Sequence, residues 1–225
     1  GAETVAPALA VLAVSAILVG GLVCLAQNEL KRLIAYSSVG HMGFVLLGIA
    51  TLTAAGLQAA LIGNIAHGVI TGLLFFLAGA VKDRTHTGTL ADLGGLREIS
   101  PRLSGVLAYA AIASLGLPGL AGFWGEAFAV IASFQRGGPL WVTLGSLAAL
   151  GAALAAAYFL RMLRQVTHGP ASPAVAAMAP TRLTLPEAVA WAPLILLALV
   201  IGLAPSLVVG LAGSGVAALV GVVSK

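Results

Sequence analysis

Three ionisable side chains, His41, His67 and Glu126, lie inside long apolar stretches of this 225-residue sequence. A charge in the middle of a bilayer is costly, so ionisable residues at that depth usually serve a function. A carboxyl group withdrawn from water can bind and release a proton near neutral pH, whereas glutamine would suffice for a structural hydrogen bond. Histidine, whose ordinary pKa is about 6.5, suits a relay, although either histidine could simply hydrogen-bond a neighbouring helix. We predict a proton pathway with Glu126 as its main carrier and the histidines as relay groups.

A cluster of glycine and proline stands just before this glutamate, at Gly116, Pro118, Gly119 and Gly122. The apolar stretch 101–135 would make one straight helix roughly 50 Å long, which exceeds the hydrocarbon core of about 30 Å. Glycine lowers helix stability and proline removes a backbone donor. We predict two half-helices joined by an unwound hinge at these four residues, with an ordinary proline kink as the alternative. Broken helices of this kind form ion sites in transporters.

The elements that carry these residues follow from composition. The chain is 60% hydrophobic and 8% charged, and its mean hydropathy of +1.09 is far above that of a water-soluble domain. In a bilayer every backbone polar group must be paired within the protein, and apolar runs of about 20 residues favour helices. The pattern predicts an all-α polytopic membrane protein with about six transmembrane helices, one of them discontinuous. The predicted spans are about 5–26, 33–52, 57–81, 101–135, 140–160 and 187–204.

The two ends of the sequence lead to separate expectations. We expect residues 1–212 to form a transmembrane helical bundle. The apolar tail 213–225 could be a seventh span or a helix lying at the membrane interface, and we expect the interface. The sequence begins with Gly1 rather than Met, and we expect further helices upstream.

Basic residues are divided unequally between the two ends of the predicted spans. The larger group comprises Lys31, Arg32, Lys82, Arg84, Arg97, Arg102, Arg161, Arg164 and Arg182, and the smaller group comprises Arg136 and Lys225. The positive-inside rule places the larger group, with the loop 82–101, in the cytoplasm. Because these residues are scattered singly at the ends of apolar runs, they indicate membrane topology and not a nucleic-acid surface.

Several kinds of chemistry are excluded within the chain. Cys24 is the only cysteine, which rules out disulfides, iron–sulfur ligation and zinc sites built on thiolates. The sequence also lacks carboxylate pairs, a phosphate-binding loop, HExxH and the Ser-His-Asp order of hydrolases, which argues against an enzyme that acts alone. We therefore expect the chain to bind no cofactor or metal.

Four stretches resemble one family of membrane proteins. They are residues 28–44 (NELKRLIAYSSVGHMGF), 66–68 (AHG), 83–87 (DRTHT) and 114–126 (SLGLPGLAGFWGE). The resemblance is to the proton-antiporter-like family shared by respiratory complex I and Mrp-type cation/proton antiporters, and within it to the M type, called subunit 4 in mitochondria. It covers nearly the whole chain and weakens after about Met162.

The resemblance implies helices nine to fourteen of a fourteen-helix antiporter-like subunit, with the fourth span matching its discontinuous helix. Glu126 matches the acidic residue of that helix, at the outlet of the proton pathway, and His41 and His67 match histidines on the central hydrophilic axis. The related L and N types are similar but carry lysine in place of this glutamate. The buried glutamate and lysines of the family's first half would precede Gly1, so we expect a fragment that does not pump alone.

The function implied by the resemblance is proton translocation in an NADH:quinone oxidoreductase of the bacterial plasma membrane. NADH, FMN, iron–sulfur clusters and quinone would then be used by other subunits, and subunits L and N, with the lipid bilayer, would be the partners. An Mrp-type sodium/proton antiporter is the first alternative, although the loop 83–87 and the hinge glutamate favour the M type. A membrane scaffold whose polar residues only hold helices together is the second.

Overall fold

The computed structural model describes residues 1–178, 183–210, 215, 216 and 221. Its helices are α1 (Ala2–Ala26), α2 (Leu30–Ala50), α3 (Ala54–Thr85), α4 (Leu96–Ile99), α5 (Pro101–Ser114), α6 (Ala121–Arg136), α7 (Gly138–Thr167), α8 (Pro173–Ala176) and α9 (Leu185–Leu203). Helices α1, α2, α3, α7 and α9 are each long and apolar enough to cross a membrane. The pair α5 and α6 completes the six predicted spans, so the predicted all-α membrane fold is confirmed.

Capping side chains set several helix ends. The Glu29 carboxylate accepts a hydrogen bond from the backbone N–H of Arg32 at the start of α2, at 2.7 Å. Thr184 and Glu187 form a capping box at the start of α9. Helices α3 and α7 continue beyond the predicted spans 57–81 and 140–160, because hydropathy marks only the apolar part of a helix whose last turn is amphipathic.

One end of the bundle collects the loops that follow α1, α3 and α7. The backbone N–H of Leu30 donates to the carbonyl of Gly88 at 2.9 Å, and the N–H of Gly95 donates to the carbonyl of His168 at 3.1 Å. These loops border the helix ends that carry most of the larger basic group, which is why the predicted topology gives this end to the cytoplasm.

Small residues allow the helices to approach closely. At the crossing of α1 and α2, a Cβ atom added to Gly20 would lie 3.0 Å from the backbone nitrogen of Gly40. At the crossing of α3 and α6, a Cβ added to Gly125 would overlap the backbone of Gly63. Such close approach is typical of helix packing inside membranes. The second crossing brings α6 directly against α3 at the residue before Glu126.

The predicted interruption of the fourth span is present between α5 and α6, over residues 115–120. Gly116 and Gly119 have φ angles of +79° and +89°, in the left-handed region that favours glycine. Pro118 lies between them. Gly122 is a correction to the prediction, because it belongs to the first turn of α6. A Cβ at Gly122 would overlap the carbonyl oxygen of Ala113, so glycine is needed there for close packing of the two half-helices.

After α9 the chain turns at residues 204 and 205, and residues 206–210 are helical. The tail 213–225, for which an interfacial helix is expected, lies outside the described residues except for 215, 216 and 221.

Candidate proton-transfer site

Glu126 and His41 are in direct contact inside the bundle. Glu126 lies in the second turn of α6 and His41 near the middle of α2, and their exposed fractions are 8% and 9%. Nδ1 of His41 lies 2.9 Å from Oε1 of Glu126. An acid and a base at this distance can share a proton without rearrangement of the backbone. Two of the three residues singled out in the sequence are therefore brought together.

A third group, Ser114, contacts the other ring nitrogen of His41. Its Oγ lies 3.1 Å from Nε2 of His41, and the serine is 3% exposed. Ser114 is the last residue of α5, and Glu126 lies on α6, so His41 is held between the two halves of the broken span. The sequence prediction missed this serine, because most serines in apolar helices bond to their own helix backbone.

His67 lies beside the pair without a direct hydrogen bond to it. Its ring centroid is 5.5 Å from that of His41, and its Nδ1 is 3.2 Å from Oγ1 of Thr71 on the same helix. The side chain is half-buried. A proton moving between the two imidazoles at this separation needs a bridging water or a ring rotation. The structure therefore places His67 beside His41, and its role as a relay group stays a prediction.

A small cavity adjoins all three predicted residues. Its volume is about 20 Å³, enough for about one water molecule. The lining residues are His41, Phe44, Val45, Gly63, His67, Ile70, Ser114, Gly122, Gly125 and Glu126. The ring of Phe159 on α7 stacks on His41 with a centroid distance of 6.2 Å. The site is thus a small pocket in which a few polar side chains, those of His41, His67, Ser114 and Glu126, are surrounded by apolar residues and glycines.

Gly116 at the hinge makes room for the carboxylate. A Cβ added to this residue would lie 2.7 Å from Oε2 of Glu126. The second carboxylate oxygen therefore lies against the unwound backbone, while the first contacts His41. The hinge thus positions the glutamate through its shape as well as through the break in the helix.

Arg84 and His86, in the sequence stretch 83–87, lie away from this site. Arg84 forms an ion pair with Glu187 at the start of α9, with Nη1 and Oε1 2.8 Å apart. His86 ends α3 in a left-handed conformation with φ +58°. Both residues lie at the end of the bundle that receives the larger basic group. In the part of the chain that the structure describes, no group of three His, Cys, Asp or Glu side chains could hold a metal ion.

At the opposite end, Arg136 ties several elements together. Its guanidinium donates to the carbonyl of Thr51 and to the carboxylate of Glu3, and lies 4.4 Å from the ring centroid of Trp141. The cluster joins the start of α1, the turn between α2 and α3, and the junction of α6 and α7. It therefore fixes the end of α6 that is far from the hinge.

The sequence matches proteins of known families over most of its length. Residues 2–151 match the family described as NADH:quinone oxidoreductase/Mrp antiporter, TM. The NAD(P)H-quinone oxidoreductase chain 4 1 of Synechococcus sp. (strain JA-3-3Ab) is 46% identical over 171 residues, which cover 75% of this chain and 32% of that protein. NADH-quinone oxidoreductase subunit M of Rhodobacter capsulatus is 39% identical over 220 residues, which cover 98% of this chain and 42% of that protein. The chain thus spans less than half the length of these relatives.

Two solved structures share the fold. A chain of respiratory complex I from Thermus thermophilus with bound NADH matches with a TM-score of 0.85 and 28% identity, over 98% of this chain and 44% of that chain. A chain of the Mrp complex from Dietzia sp. DQ12-45-1b matches with a TM-score of 0.86 and 20% identity, over 97% of this chain and 48% of that chain. At 20% identity the second likeness shows the common fold alone.

Proposed function

Because this chain belongs to the family of membrane subunits shared by NADH:quinone oxidoreductases and Mrp antiporters, we propose that it carries part of a buried proton pathway. The pathway operates within a subunit M of an NADH:quinone oxidoreductase. Quinone reduction elsewhere in the complex drives the protonation changes, and this chain holds no redox group of its own. The chain supplies the discontinuous helix and the residues that load and unload a proton beside it.

The observation that carries the proposal is the 2.9 Å contact between Glu126 and His41 at the break of the membrane span. A structural hydrogen bond could be made by glutamine, and a simple helix contact would not need a hinge. An acid, a base and a space for water at one depth are the parts that proton transfer requires. In the proposed pathway Glu126 is the main carrier, and His41 and His67 relay protons to and from it.

The Mrp-type antiporter is the alternative function within the same family. The relatives with 39% and 46% identity carry oxidoreductase names, which favours the oxidoreductase for this chain. Mild-detergent purification of the tagged subunit from its native membrane separates the two functions. Co-purification of flavin and iron–sulfur subunits supports the oxidoreductase, whereas a set of purely membranous partners would favour the antiporter.

The same proposal identifies the partners and the membrane of this chain. The partners are other membrane subunits, including those of the L and N types, and the lipid bilayer of the bacterial plasma membrane. NADH, FMN, iron–sulfur clusters and quinone belong to other subunits of the complex.

Replacement of Glu126 by glutamine tests the proposed carrier. The amide keeps the shape of the side chain but cannot exchange a proton, so we expect NADH-driven acidification of vesicles to fall at least about tenfold. Glu126→Asp, which keeps the carboxyl group, should retain more activity than Glu126→Gln. The matched control is Glu98→Gln, which removes a carboxylate at the loop end of the bundle.

All variants are made in the full-length subunit, and assembly of the complex is checked on native gels. Wild-type pumping rate and stoichiometry in fully assembled Glu126→Gln complex would show that Glu126 is not the carrier. Loss of pumping in Glu98→Gln to the same extent would show that the effect reflects charge loss in general.

A further inference from the structure

We infer that Ser114 is a member of the proton relay that hydrogen-bonds His41 in both of its neutral tautomers and so completes a hydrogen-bonded path from the hinge to Glu126. The inference rests on the proposed function. Its basis is the order of three buried groups: Ser114 Oγ is 3.1 Å from His41 Nε2, and His41 Nδ1 is 2.9 Å from Glu126 Oε1. The chain of contacts thus crosses from α5 through α2 to α6.

A neutral imidazole has one N–H donor and one nitrogen acceptor, and the neighbours decide which nitrogen carries the proton. While Glu126 is a carboxylate, Nδ1–H of His41 donates to it, and Nε2 accepts from the hydroxyl of Ser114. Once Glu126 is protonated, its O–H donates to Nδ1, and Nε2–H donates to the serine oxygen. A hydroxyl serves both states, because it can donate and accept.

The two states are linked by transfer of one proton. The Ser114 O–H bond breaks as an N–H bond forms at Nε2 of His41, and a hydrated proton (H3O+) arriving from the aqueous side gives its proton to the serine oxygen, which restores the hydroxyl and leaves a neutral water molecule. The Nδ1–H bond then breaks as an O–H bond forms on Glu126. One proton has entered from the water side and one carboxylate has become a carboxylic acid, while His41 is neutral again in the other tautomer. Release of the proton reverses these steps.

The Ser114 hydroxyl is directed differently from two other buried hydroxyls of the bundle, those of Ser133 and Thr167. Ser133 and Thr167 each donate to the carbonyl four residues earlier in their own helix, at 2.9 Å and 2.7 Å. Ser114, at the end of α5, reaches instead to a ring on another helix. The helix stops immediately after it, so the hinge leaves this side chain facing α2.

A serine, a histidine and a glutamate in this order also occur in hydrolases, where serine attacks a carbonyl carbon. The adjoining cavity of about 20 Å³ holds about one water molecule and leaves no space for an acyl substrate. The geometry therefore favours proton relay over hydrolysis.

Three variants in the full-length subunit of the assembled complex test the inference. Ser114→Ala removes the hydroxyl, and we expect NADH-driven proton pumping to fall about tenfold. Ser114→Thr retains a hydroxyl and should restore pumping to within about twofold of wild type. Ser133→Ala is the matched control, since it removes a buried hydroxyl that bonds only to helix backbone, and should pump like wild type.

A second readout reports the tautomer itself. In ¹⁵N-histidine-labelled complex, the resonances of His41, assigned with a His41→Gln variant, should show both neutral tautomers in wild type. Ser114→Ala should abolish the exchange between them, and Ser133→Ala should leave it unchanged. If Ser114→Ala fails to assemble, Ser114→Cys, a much weaker donor and acceptor of similar size, is judged by the same criteria.

Wild-type pumping and unchanged tautomer exchange in Ser114→Ala would overturn the inference. It would also be overturned if Ser114→Thr, in fully assembled complex, pumped as poorly as Ser114→Ala. The proposed function is tested separately. If Glu126→Gln abolishes pumping while Ser114→Ala does not, only the role of Ser114 is wrong; if Glu126→Gln has no effect, the proposed function is wrong as well.

Discussion

Gly116→Ala tests how the hinge positions the carboxylate of Glu126. The added Cβ would lie 2.7 Å from Oε2, whereas ordinary van der Waals contact begins at 3.4 Å. The carboxylate must therefore retreat by about 0.7 Å, the difference between these distances. Good N–H···O distances span only roughly 2.7–3.2 Å, a width of about 0.5 Å, and this displacement is larger than that width. We expect the contact between Glu126 and His41 to weaken or break.

The size of the effect follows from the hydrogen bond at risk. A hydrogen bond to a charged group contributes about 1.5–3 kcal/mol, and each loss of about 1.4 kcal/mol in the transition state slows a step tenfold. Proton pumping should therefore fall about tenfold or more. Alanine at a φ of +79° also costs about 1–2 kcal/mol of stability, because its Cβ is crowded in the left-handed region.

Gly119→Ala separates these two effects. Gly119 lies in the same hinge with a φ of +89°, but a Cβ added to it meets nothing within 4 Å. Both variants should lower the thermal midpoint of the purified complex because of their positive φ, Gly116→Ala by more because it also weakens a hydrogen bond, whereas only Gly116→Ala should reduce NADH-driven acidification of vesicles. Equal pumping by the two assembled variants would refute the conclusion that Gly116 makes room for the carboxylate.

Two further predictions concern the ends of the bundle. Arg136→Gln removes the donors to Thr51 and Glu3 and should lower the free energy of unfolding by about 1.5–3 kcal/mol in a denaturation assay. Glu3→Gln changes only an exposed partner of Arg136 and should lower the free energy of unfolding by about 1 kcal/mol or less in the same assay. Equal losses in the two variants would contradict the conclusion that Arg136 contributes more than its ion pair with Glu3. A cysteine at Thr89 should react with membrane-permeant thiol reagents alone, because the basic imbalance predicts that the loop lies in the cytoplasm. Labelling by an impermeant reagent outside intact cells would reverse the topology.

The number of spans and the broken helix could be predicted from the sequence, because both follow from solvation. Apolar runs match the bilayer thickness, and a 35-residue run exceeds it, so a break near the Gly-Pro cluster is required by length. The role of each glycine in that cluster could not be predicted. Gly116 and Gly119 adopt left-handed backbone conformations, whereas Gly122 packs against the carbonyl of Ala113. The residue type is glycine in both cases, so the sequence does not distinguish the two roles.

Sequence reasoning singled out the ionisable residues of the candidate site, Glu126 and His41, but did not single out Ser114, which contacts His41. Glu126 and His41 are exceptional in apolar helices, so their cost alone draws attention to them. Burying a serine such as Ser114 in the membrane costs little free energy, so its presence there draws no attention. Its contact with His41 depends on how α2 crosses the end of α5. The bond of His67 to Thr71 likewise depends on a side-chain direction that residue types do not fix.

The short length of the two half-helices affects how the protein is made. Helices α5 and α6 contain 14 and 16 residues, roughly 21 Å and 24 Å, so neither reaches across about 30 Å of hydrocarbon. The backbone groups at their junction need protein neighbours. One neighbour is α9: Trp124 donates to the carbonyl of Gly202 at 2.8 Å, and Gly202 packs against the carbonyl of Gly119. The ribosome and the insertion machinery therefore cannot complete this region one span at a time. The hinge gains its full set of contacts only after α9 has been synthesised and has entered the bilayer.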